Sequence, residues 1–184
     1  MSQHRVPTER VAAVLAALAG PLGPWAAEER AEQLRRELLD GDPTVSADQI
    51  LAVVVSRPAL PASIPVTWRD IDDEAAELLA ELGEHVEVRA LLVRSLHDPA
   101  LRLVAIQALG QLADPDTAPA LAALAASEFR APILTENEVV YLASALGSVG
   151  GADALSGIQD LRRRNWPPEV TREVEIALQA LLDQ

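Results

Sequence analysis

Apolar residues recur along this chain at helical spacing, and residues that stop helices cut the pattern into short segments. The first segment predicts a helix over 8–19, closed by Gly20 and Pro21. The second begins near Pro24 and Trp25, places Ala31, Leu34, Leu38 and Leu39 on one face, and ends at Asp40 and Gly41. Ser46, Ala47, Asp48 and Gln49 have the form of a capping box, which starts a third helix through Ile50 to Val55. The run Val53, Val54, Val55 favours a strand by propensity, and the box decides for helix. Pro58, Pro61 and Pro65 then bar any regular element from crossing 57–66. That joint divides an N-terminal helical region, 1–66, from the remainder, 67–184.

Beyond the joint a helix is predicted from Thr67 to Gly83 and a second from about Glu84 to Leu96. A third follows from Pro99, and its successor spans 116–127. A loop over 128–134 holds Phe129, the only phenylalanine. Thr135 to Glu138 form another capping box, for a helix closing at Gly147. Gly150 and Gly151 turn the chain into a helix over 152–163. The last begins at Pro168 and carries Val170, Val174, Ala177, Leu178 and Leu181. The fold class is all-α.

Within this second region one pattern returns. Ala108, Leu109 and Gly110 recur as Ala145, Leu146 and Gly147, and the pair Ala177 and Leu178 recurs again, at intervals of 37 and 32 residues. A fainter copy, Leu82 and Gly83, lies 27 residues before Leu109 and Gly110. Periods of this size mark stacked helix pairs. In the best copy Asp98 and Pro99 supply a cap acceptor and a first-turn proline. Leu101, Val104, Ala105, Ala108, Leu109 and Leu112 form the apolar stripe, in which Ala105 and Ala108 allow close helix approach.

This copy resembles the second helix of a HEAT repeat, and the resemblance extends over roughly 70–184. It implies a short right-handed α-α superhelix of the HEAT or armadillo type, an α-solenoid, with 1–66 as an N-terminal helical cap. Arg102 falls where that family usually has an arginine that bonds an aspartate of the adjacent repeat. The other copies depart from it, with Thr135 and Pro167 at the aspartate position and Val139 and Thr171 at the arginine position.

Composition fits a core of Leu, Ala and Val, since 49% of residues are hydrophobic and the aromatics are three Trp, one Tyr and one Phe. All 15 basic residues are arginine, so lysine Schiff-base chemistry and a P-loop lysine are excluded. With no cysteine, thiol catalysis and thiolate metal sites are excluded too. A net charge of −13 opposes nucleic-acid phosphates and anionic membranes, and favours basic proteins or peptides as partners. The apolar stretch Val11 to Leu18 is shorter than the roughly 20 residues of a membrane span, and Thr8, Glu9 and Arg10 precede it like a helix start. A cytoplasmic protein is expected.

Catalytic or metal chemistry finds little support. His4, His85 and His97 are far apart, Glu81 and His85 lack a matching second cluster, and adjacent Asp72 and Asp73 read as dipole-stabilising residues at a helix start. No catalytic, metal or cofactor residue is assigned. Two surfaces stand out instead. Glu74, Glu77, Glu81 and Glu84 follow at steps of three, four and three, forming a like-charged stripe that a cation would relieve. Leu103 and Ile106, with Val140 and Ala143 one repeat on, occupy places where many HEAT helices are polar; they predict either an open apolar strip or a face buried under the Phe129 loop or the N-terminal cap. Trp166, among Arg162, Arg163, Arg164 and Pro167, is a further candidate anchor, although a tryptophan next to prolines more often packs against its own loop. These residues predict a non-enzymatic protein- or peptide-binding module. The alternatives are an acidic inhibitor or immunity-type protein masking a basic toxin or nuclease, and, through the resemblance, a HEAT-like enzyme of lyase or glycosylase type.

Overall fold

The computed structural model describes residues 8–20, 26–60, 65–131 and 133–183. Expectations placed on Pro24, Trp25, Pro61 and His4, and on the side chains of Ala31, Leu34 and Phe129, lie outside the described residues. The described residues are helical with short connections and contain no strand. The chain divides into two units, 1–90 and 91–184.

The first unit holds α1 (Thr8–Ala19), α2 (Ala26–Leu39), α3 (Pro43–Ser56), α4 (Trp68–Leu82) and the first turns of α5 (Val86–Ser95). α1 packs against α2, α3 and α4, and α3 packs against α4. Val11 and Leu15 of α1, Ile50 and Val53 of α3, and Ile71, Leu78 and Leu79 of α4 are fully buried. Burial of Val53 and Val54 offsets their strand propensity, so 50–55 is helix, as the sequence implies.

The start of α3 differs from the sequence expectation. α3 begins at Pro43, not at the Ser46 box. Asp42 caps it, accepting from the backbone N–H of Thr44 at 2.9 Å and of Val45 at 3.3 Å, with proline in the first turn where no amide is needed. Ser46 is therefore inside the helix, and its hydroxyl donates to the Leu38 carbonyl at 2.6 Å. α4 starts where expected, and Thr67 and Asp70 form a reciprocal capping box there that was not singled out from sequence. Arg57, in left-handed backbone at φ 45°, closes α3. It makes a two-pronged bond to Asp72 at 2.8 Å each and lies 4.8 Å from the Trp68 ring centroid, tying the joint to the start of α4.

The second unit holds the end of α5, then α6 (Arg102–Leu112), α7 (Ala118–Arg130), α8 (Glu136–Val149), α9 (Gly151–Arg162) and α10 (Pro168–Leu182). α6 packs on α8 and α8 on α10, while α7 packs on α9. Leu109, Leu121, Leu142, Leu146 and Ile158 are fully buried. Asp98 and Pro99 form a turn rather than the first helical residues: Asp98 accepts from Ala100 N–H at 2.9 Å, and α6 proper starts at Arg102. α7 runs to Arg130, three residues into the loop expected at 128–134. α8 continues past Gly147 to Val149 before Gly150 and Gly151 turn the chain at φ 71° and 84°.

Glycines of the repeated motif lie at the seams between these helices. A Cβ on Gly110 would lie 2.8 Å from the Ala145 Cβ, and one on Gly147 would lie 3.6 Å from the Ala177 Cβ. The glycine of each Ala-Leu-Gly thus sits against the alanine of the next copy, with no room for a side chain at Gly110 and ordinary contact distance at Gly147. In the third copy Gln179 stands in the glycine's place and is exposed.

Candidate functional site

The acidic stripe carries its own cation. Arg35 of α2 reaches three carboxylates of α4: Glu74 at 3.3 Å, Glu77 at 3.1 Å, and Glu81 in the closest contact. Glu84 is not part of this group. It is exposed in the turn after α4, because the helix ends at Leu82 and the three-residue step to 84 no longer follows helical geometry. Burial opposes the Arg35 charge, but the carboxylates of Glu81 and Glu77 outweigh it and push the guanidinium pKa up. One guanidinium among three carboxylates leaves repulsion over. Burial first, then the Glu77 charge, push Glu74 above its ordinary range in spite of Arg35. Asp72 is also raised, by burial, with the Arg57 ion pair working against the shift.

The apolar strip does not lie open. Ile106 and Ala143 are fully buried and belong to the core, while Leu103 and Val140 are half-buried. Packing of α6 on α8 and of α8 on α10 takes up faces that are free on an isolated helix. Trp166 is half-buried against its own loop. Its indole N–H donates to the Leu161 carbonyl at 2.8 Å, and the Arg164 guanidinium lies 5.0 Å from its ring centroid.

What α6 and α8 do leave open is a shallow groove of about 420 Å³. Gly110 and Ala145 form its floor. Gln107, Gln111 and Ala113 line one side, and Tyr141, Ser144 and Ser148 the other. Gln111, Ser144 and Ser148 are exposed, Tyr141 is half-buried, and no charged side chain lines the groove. None of these polar residues was singled out from sequence. Their signal was there: Tyr141, Ser144 and Ser148 share one helix face at steps of three and four, uncharged in a chain that is 23% charged.

Two buried glutamates, also missed, hold the segment that leads into α8. Glu128 is fully buried, and its carboxylate accepts from Ile133 N–H at 2.6 Å and Leu134 N–H at 2.8 Å while pairing with Arg164. Glu138 caps α8 through Thr135 and faces Arg102 at 3.5 Å, where both side chains are 8% exposed. Arg102 also donates to the carbonyls of Leu96 at 2.9 Å and Ile133 at 3.0 Å. Arg102 does therefore bond an acid on the next helix pair, one turn into that helix rather than at the aspartate position the resemblance marks. Between them these groups hold the backbone of 133–135 from both sides.

Among the described residues, no three or more His, Asp or Glu side chains converge as metal ligands would, and no helix is long and apolar enough to cross a membrane. No family model matches this chain, and no characterised protein or solved structure is significantly similar to it.

Proposed function

We propose that this chain is a non-enzymatic, cytoplasmic protein-interaction module whose second unit is a short HEAT-like solenoid that takes a protein or peptide segment on the α6–α8 face. The observation that carries this reading is the uncharged groove over the Gly110–Ala145 seam. Charge is abundant on this chain, and a neutral concave strip with exposed amide and hydroxyl groups suits a polypeptide better than phosphates or lipid headgroups. The succession of α6, α8 and α10, with α7 on α9, supports the solenoid.

The acidic-inhibitor alternative has one observation in its favour, the convergence of Glu74, Glu77 and Glu81 on a guanidinium. That same guanidinium belongs to the chain itself, so a basic partner has to compete with Arg35. The groove is therefore the preferred surface.

The test is capture of partners from source lysate on the immobilised full chain, with two variants in parallel. Gln111→Arg with Ser144→Arg charges the groove at exposed positions, and Glu77→Gln with Glu81→Gln neutralises the stripe. Loss of a partner in the first variant alone supports the groove; loss in the second alone transfers the function to the acidic face.

A further inference from the structure

We propose that the groove takes an extended polypeptide segment of about three residues, lying along α6 and α8 and held through its main chain. This rests on the interaction-module reading and names the ligand for it. Length comes first. The α6 side runs from Gln107 to Ala113 and the α8 side from Tyr141 to Ser148, which at about 1.5 Å per residue gives roughly 9 to 10 Å. An extended chain rises about 3.3 Å per residue, so about three residues fill that length.

Spacing agrees. Ser144 and Ser148 are one turn apart, about 6 Å along the axis, and an extended chain presents groups on the same side every 6.6 to 6.8 Å, roughly the same interval. Side-chain chemistry agrees as well. The Gln111 amide and the hydroxyls of Tyr141 and Ser144 are uncommitted among the described residues. The Ser148 hydroxyl donates to the Ser144 carbonyl at 3.2 Å and keeps its lone pairs for an incoming N–H. Amides and hydroxyls both donate and accept, which is what a main chain of alternating N–H and C=O requires.

Charge and shape disfavour other occupants. An ionic ligand would meet no counter-charge in the groove. A docking helix needs a deep apolar groove for its i, i+3 and i+4 anchors, and here the only apolar side chain among the exposed lining residues is the small Ala113, beside Gln111, Ser144 and Ser148.

The experiment is a titration of the isotopically labelled full chain, followed by amide chemical shifts, with three blocked peptides: a β-prone Ser-Val-Thr-Val, its N-methylated analogue, and an alanine-rich helical peptide. The β-prone peptide is expected to shift amides of 107–113 and 141–148, and the N-methylated analogue to bind about tenfold more weakly for want of its N–H donors. Gln111→Ala with Ser144→Ala, both exposed, should weaken the β-prone peptide comparably with the fold unchanged. Equal binding by the N-methylated peptide, stronger shifts from the helical one, or no shift at these amides overturns the proposal. In each of those cases a captured protein still lost on charging the groove leaves the interaction module standing, and one that is unaffected removes it too.

Discussion

Glu128 shows what a single side chain can hold. Its carboxylate satisfies two backbone amides and a guanidinium at a fully buried site, so removing it strands three donors at once. Glu128→Ala is expected to cost about 3 to 5 kcal/mol in urea unfolding, the range for breaking a buried ion pair. Arg164→Ala should cost less, because Ile133 and Leu134 still donate to the carboxylate. Equal losses would show that the ion pair, not the amides, dominates. Glu74 makes the opposite case. Its folded pKa lies above the ordinary 4.5, so the folded state binds that proton more tightly than the unfolded state. Stability from this group therefore falls as pH rises from about 4.5 through the raised value, and is regained on acidification. Glu74→Gln, fixed in the neutral form, should unfold at higher urea than the parent at pH 7, with the advantage shrinking toward pH 4.5. Asp72 titrates in the same direction in both proteins. An advantage that grows on acidification would remove the repulsion account.

At the scale of elements, one motif gives two opposite expectations. Gly110→Ala places a methyl 2.8 Å from the Ala145 Cβ and 2.9 Å from its Cα, so backbone must move. Overpacking costs about 1 to 3 kcal/mol, against up to about 1 kcal/mol gained in helix propensity, and a net loss of roughly 1 to 2 kcal/mol follows. Ala145→Gly in the same chain should restore part of it. Gly147→Ala meets Ala177 at 3.6 Å, ordinary van der Waals contact, and should be neutral or gain up to about 1 kcal/mol in thermal unfolding. These seams also show what was legible beforehand. The Ala-Leu-Gly period was visible and correctly marked the helices, because periodicity is local to each segment. That the glycine of one copy meets the alanine of the next was not visible, since it depends on register between helices 35 and 30 residues apart in sequence. The same limit left Ile106 and Ala143 undecided between an open strip and the core: a helical wheel gives the face, and only packing says whether a neighbour covers it. Arg35 had no signal at all, because nothing local to α2 records that α4 presents three carboxylates to it.

Across the whole molecule, charge and contact are separated, and the separation has a kinetic consequence. The chain carries a net charge of −13, and no charged residue lines the groove. Long-range attraction acts on encounter, and groups that touch in the complex set its lifetime. For a basic protein that seats an uncharged segment in the groove, the association rate should fall steeply as salt is raised, because the screening length contracts from about 10 Å at 0.1 M to about 3 Å at 1 M. The dissociation rate should barely change, since neutral hydrogen bonds in the groove feel little screening. Neutralising Glu77 and Glu81 should lower the association rate alone, and Gln111→Ala with Ser144→Ala should raise the dissociation rate alone. Stopped-flow or surface-capture kinetics over a salt series separates the two. A dissociation rate that climbs with salt as fast as association falls would mean that ion pairs hold the complex, which would place the partner on the carboxylates of α4 rather than between α6 and α8.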